Sequence, residues 1–115
     1  MRFLSIYRPS KKNPGPPSKE HLAKMQVFMD HAIKAGELVM TGGLMPGRTY
    51  VRAEEGEIRV TDGPFAEAKE LVAGFAVLEA KSKADAIEMS KRFLAVCGDG
   101  ECELHEMMGE PPRPA

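Results

Sequence analysis

The chain has 115 residues, of which 29% are charged, and a formal net charge of −1. That length allows one domain, expected over residues 1–115 with a loose tail at 109–115. The near-neutral charge argues against direct nucleic-acid binding, which needs a basic surface to displace counterions. No apolar run approaches the roughly 20 residues that span a bilayer. The start, MRFLSIYRPSKK, has too short an apolar stretch for a signal peptide, so the expected compartment is the cytoplasm.

Met1 to Tyr7 reads as a first strand, stopped by Pro9. The loop from Ser10 to Pro17 follows, rich in proline. Ser18 then caps a helix over Lys19 to Ala35, with Gly36 as its left-handed end. Leu22, Met25, Met29 and Ile33 recur at helical spacing as its inner stripe, widened by Phe28 and Ala32.

Glu37 to Thr41 is a second strand, and Gly42 to Gly47 a loop. Arg48 to Ala53 and Glu57 to Thr61 form a hairpin turned by Glu54-Glu55-Gly56. Leu71 to Ala80 is apolar on both alternating faces, as a central strand is, and Gly74 permits a close backbone approach. Ser82 and Asp85 open a second helix, with Ala86, Met89 or Ser90, Phe93 and Cys97 inward and Glu88–Arg92 as an outward ion pair. Gly98-Asp99-Gly100 ends it. Glu101 to Met107 is an edge strand, with Cys102 and Leu104 inward and Glu101, Glu103 and His105 outward. Cys97 and Cys102 are expected as reduced thiols rather than a disulfide, and no metal site is expected.

The order β-α-β-(hairpin)-β-α-β predicts an α+β fold. It is a ferredoxin-like antiparallel sheet with both helices on one face. The other face then needs a cover, and a second copy supplies it, so a homodimer is expected.

Candidate chemistry centres on Asp62-Gly63-Pro64-Phe65, a turn, and on Glu67, Lys69 and Glu70 after it. The segment reads either as a turn with a solvated charge cluster or as one wall of a pocket where Asp62 is a base. His21 falls on the apolar side of the first helix, near its N-terminus. It reads either as a boundary residue or as a neutral base at a pocket mouth. His31 reads as solvated, and His105 is assigned to solvent rather than to a pocket. Arg8, Arg48 and Tyr7 lie at strand ends beside loops, where an arginine fork can hold an anionic group. No phosphate-loop, dinucleotide, nucleophile-elbow or zinc-protease motif is present, so no cofactor is expected.

The segment DGPFAEAKE (Asp62–Glu70), followed by LVAGFAVLEA, resembles the signature of the DGPF branch of the YCII-related family. The resemblance continues through the helix ending Ala-Gly-Glu-Leu, the Gly-Gly-Leu turn and the hairpin. It implies a ferredoxin-like fold of the dimeric α/β-barrel type. It also implies a His–Asp dyad. Glu20-His21-Leu22-Ala23 resembles the context of that histidine, and Asp62 is preferred to Asp99 as its partner.

Three functions follow as expectations. The first is a small-molecule enzyme performing proton transfer as an isomerase, dehydratase or lyase. His21 or Asp62 is its base, Glu67, Lys69 and Glu70 orient that base, and Arg48 binds substrate. The second, implied by the resemblance, is a ligand-sensing partner domain linked to sigma factors. The third is a dimeric scaffold.

Overall fold

The computed structural model describes residues 1–10, 18–63 and 72–109. In chain order its elements are β1 (Arg2–Pro9), α1 (Lys19–Lys34), β2 (Leu38–Gly43), β3 (Thr49–Glu54), β4 (Glu57–Asp62), β5 (Gly74–Glu79), α2 (Lys83–Cys97) and β6 (Gly100–Glu106). Strands β2-β5-β1-β6 form one sheet in that spatial order, and β3-β4 form a separate ribbon. All pairings in the sheet are antiparallel. With the hairpin set aside, this is the ferredoxin-like strand order that two β-α-β halves produce.

Local chemistry explains the helix limits. The Ser18 hydroxyl accepts the His21 amide at 3.1 Å, and the Ser82 hydroxyl accepts the Asp85 amide at 3.1 Å. Each satisfies a first-turn donor that the helix itself leaves open. At the far end of α1, Gly36 adopts φ +74°. Its amide bonds the Ile33 carbonyl at 3.0 Å, and the Glu37 amide bonds Ala32 at 2.9 Å. These two bonds form a Schellman turn.

Several boundaries and faces differ from expectation. Strand β1 runs on to Pro9, which lies opposite Gly100. Strand β2 takes in Gly42 and Gly43, expected in a loop. The aromatic ring of Phe75 lies over Gly42, where a Cβ would sit 2.9 Å from it. A Cβ on Gly74 would sit 3.0 Å from the Gly42 carbonyl oxygen, the close approach expected of Gly74. On α1, Met25, Phe28, Met29 and Ala32 are half-buried, while Leu22 and Ile33 are exposed. The helix is turned so that Phe28 meets Phe93 of α2, with ring centroids 6.2 Å apart. The Glu88–Arg92 pair does not form. Arg92 reaches Glu37 at 3.3 Å and Glu88 takes Lys91 at 3.1 Å, because the turn after α1 brings Glu37 within range.

Alternation along β1 separates two faces. Phe3 and Ser5 are buried and Tyr7 packs edge-on against Phe93, so these three point to the helices. The core there joins Phe3, Ala80 and Ala86 with Leu78, Met89 and Leu104. Leu4, Ile6 and Arg8 point the other way. No helix is long and apolar enough to cross a membrane among the described residues. Phe3 is 3% exposed at the centre of this small core. Phe3→Ala is expected to cost about 3 kcal/mol or more. Urea unfolding at fixed protein concentration measures it, and a loss under 1 kcal/mol would place the core elsewhere.

Candidate functional site on the open sheet face

Residues opposite one another in the antiparallel ladders share a face. Leu4 lies opposite Val77 and His105, Ile6 opposite Phe75 and Glu103, and Arg8 opposite Glu101. Met40 lies opposite Val77. The face away from the helices therefore has an apolar floor of Leu4, Ile6, Phe75, Val77 and Met40. Its border on the edge strand β6 is polar. None of the five floor residues is buried, and Met40 is 58% exposed.

The polar border is a connected cluster. Arg8 Nη1 lies 3.2 Å from Glu103 Oε1 and 3.7 Å from Glu101 Oε1. The other oxygen of Glu103 lies 2.7 Å from His105 Nε2. The His105 hydrogen bond, then Arg8, holds the Glu103 carboxyl below its ordinary pKa. An ionised carboxylate only accepts, so Nε2 is the donor and Nδ1 of a neutral His105 keeps its lone pair. This is the geometry of an oriented imidazole base.

The sequence-predicted residues are dispersed. His21 is half-buried on the first turn of α1, which packs on α2 and β2. Asp62 is exposed at the end of β4, where its Oδ1 accepts the Thr49 hydroxyl at 2.7 Å. His21 and Asp62 make no hydrogen bond to each other. Arg48 Nη1 donates to the Tyr50 hydroxyl at 2.7 Å, and the Gly63 amide bonds the Arg48 carbonyl at 2.8 Å. Asp62 and Arg48 thus share the base of the hairpin. Glu67, Lys69 and Glu70 lie outside the described residues. His31 is exposed. His105 is exposed as read, but what it faces is the open sheet. The signal that marks it is the i, i+2 spacing of Glu103 and His105 on a strand, which puts both on one side.

On the helix-covered face, Tyr7, Cys97 and Cys102 form a second polar cluster. Cys102 lies opposite Tyr7, and the Cys97 thiol approaches the Gly98 carbonyl at 3.8 Å. Burial, then the contact with Cys97, raises the Tyr7 pKa, and burial raises both thiols. Both cysteines are free. Thiols raised in this way are poor nucleophiles at neutral pH. Among the described residues, no three His, Cys, Asp or Glu side chains gather as a set of metal ligands.

Comparison with known proteins gives one family. The family described as the YCII-related domain matches residues 1–97. No curated protein matches. Among solved structures, the chain is similar to 5-chloro-2-hydroxyhydroquinone dehydrochlorinase from Burkholderia phenoliruptrix AC1100, in complex with 2,5-dihydroxybenzoquinone. The identity is 15% over 94% of each chain, with a TM-score of 0.42.

Two titrations check the electrostatics. Glu103 has a depressed folded pKa. Its contribution to stability is therefore present above the unfolded pKa and is lost as pH falls through the folded one. A carboxyl NMR titration is expected to place Glu103 below a solvated glutamate and to move it upward in His105→Ala. A Glu103 midpoint unchanged in that variant would mean that the 2.7 Å contact is not formed in solution. Modification of Cys97 and Cys102 by a thiol reagent is expected to have its pH midpoint above that of a model thiol.

Proposed function

The chain belongs to the YCII-related domain family, and we propose from that premise that it is a small-molecule enzyme working by acid–base proton transfer. It acts as a homodimer, needs no cofactor, and is of the isomerase, dehydratase or lyase type. The observation that carries this reading is the 2.7 Å Glu103–His105 contact beside Arg8, at the border of an apolar floor.

Each group has a task. Nδ1 of His105 removes a proton from a carbon beside a carbonyl or hydroxyl oxygen. Glu103 holds the ring through Nε2 and stabilises the imidazolium that forms. Arg8 reaches Glu101 and Glu103 through Nη1. Its remaining donors can meet the negative charge that develops on the substrate oxygen. Leu4 and Ile6 supply a floor for the carbon skeleton. The same imidazolium returns the proton to a different atom in an isomerase, or to a leaving group in a lyase.

Such chemistry needs water excluded, since a charge pair on an open surface is heavily screened. A second copy packed on the open face supplies the exclusion. It also covers the exposed apolar side chains that two helices leave bare. His21 remains a rival imidazole. It lies in the first turn of α1.

A thermal-shift screen of small carbonyl and hydroxy acids separates the two histidines. A ligand at a hundred times its Kd adds about 2.7 kcal/mol to the native state. The shift is expected to vanish in Arg8→Ala and turnover to vanish in His105→Ala, with both retained in His21→Ala. Loss of turnover in His21→Ala alone would move the base to α1. A flat response to the whole library would count against an enzyme.

A further inference from the structure

The β3–β4 ribbon carries a surface that this site does not use. Its loop is two residues, Glu55 at φ +49° and Gly56 at φ +83°, the pair of positive values that a tight type I′ hairpin requires. Thr49 pairs with Asp62 and the register continues unbroken to Glu54 and Glu57. Val51 lies opposite Val60 and Ala53 opposite Ile58, so these four side chains share one face. Val51 is 67% exposed, Ile58 73% and Val60 66%. Among the described residues, no helix or strand packs substantially against the ribbon. A two-stranded hairpin left bare in water is marginal.

The opposite face is polar and balanced in charge, with Tyr50, Arg52 and Glu54 across from Thr61, Arg59 and Glu57. Arg52 lies 4.5 Å over the Tyr50 ring, and Arg59 pairs with Glu57 at 3.2 Å, so this face is satisfied within the ribbon.

The sheet offers the complement of the apolar face. Its open face has an apolar floor, and its edge strand presents Glu101 and Glu103 on that same side. The ribbon's three large apolar side chains expose roughly 300 Å², well short of the ~800 Å² per partner that a stable interface buries. Ribbon and sheet must therefore be engaged together. A two-fold dimer does that, since the ribbon of each copy meets the sheet of the other.

We propose that the β3–β4 hairpin is an arm that seats on a second copy of this chain. The apolar face of Val51, Ile58 and Val60 lies on the partner subunit's open sheet face. The arm closes the border of the site, so each site is completed by the other copy. This rests on the dimeric reading of the open face given above.

Sedimentation equilibrium on the full chain tests it. The wild type is expected to be dimeric, and Val60→Glu to weaken the dimer at least tenfold with an unchanged far-ultraviolet spectrum, because Val60 is exposed within its own copy. Ile58→Glu is expected to act in the same direction, because Ile58 shares the apolar face and is 73% exposed. A Val60→Glu dimer as tight as the wild type overturns the arm and leaves the sheet-face dimer standing. A wild type that is monomeric at all concentrations overturns both. Cross-linking then fixes the contact, in a background where Cys97 and Cys102 are changed to Ser. Copies carrying Val60→Cys and copies carrying Ile6→Cys are expected to form a disulfide under air when mixed. A bond in the Val60→Cys copies alone indicates arm-to-arm contact and overturns the proposed seat.

Discussion

A sheet has two faces, and among the described residues helices cover only one of them. Phe3 and Tyr7 pack from one side of β1 against residues of α2, and among the described residues no helix covers the side that bears Leu4 and Ile6. The core on the covered side is correspondingly small. Phe3, Leu38, Ala80 and Ala86 are its buried apolar residues among those described, and two of the four are alanines. Burial of apolar area supplies ~25 cal/mol per Å², so a core of this size leaves much of the available stabilisation unused. The open face and the projecting ribbon hold that remainder. The proposed function ties stability to the site, because the surface with the most exposed apolar side chains on the sheet is also the one bordered by Arg8, Glu103 and His105.

The polar border shows how one element serves both ends. Strand β6 is an edge strand, and charged side chains along an edge discourage unwanted pairing. Here the same charges are ordered by a neighbour on β1, since Arg8 bonds Glu103 and Glu103 fixes His105. The chain from arginine to carboxylate to imidazole runs across two strands whose ladder is continuous from Phe3 to Pro9. Its geometry is therefore set by backbone pairing rather than by a loop. The thiols and Tyr7 beneath α2 do the opposite work. They lie on the covered side, where burial favours their protonated forms.

Much of this fold is legible in the sequence because its punctuation is local. Ser18, Gly36 and Ser82 each act within four residues, and the Glu55-Gly56 turn carries its own conformational demand. The strand order follows from counting elements. What could not be read depends on contacts far apart along the chain. Arg92 was expected to pair one helical turn away and instead meets Glu37, 55 residues distant. Arg8 meets Glu103 across 95 residues. Alternation correctly places His105 outside the core, but it does not say that the outside is an open sheet face with an apolar floor. The family match spans residues 1–97, while the hydrogen-bonded histidine and carboxylate among the described residues lie beyond it, on the last strand.

The central claim is that the open face is a mating surface and not a solvated one. Sedimentation equilibrium of Ile6→Glu addresses it most directly, since Ile6 sits in the middle of that face between Phe75 and Glu103. A carboxylate there faces solvent in the monomer and is buried without a partner in the dimer. The account predicts a folded monomer with native far-ultraviolet circular dichroism. A variant that remains as dimeric as the wild type would contradict it.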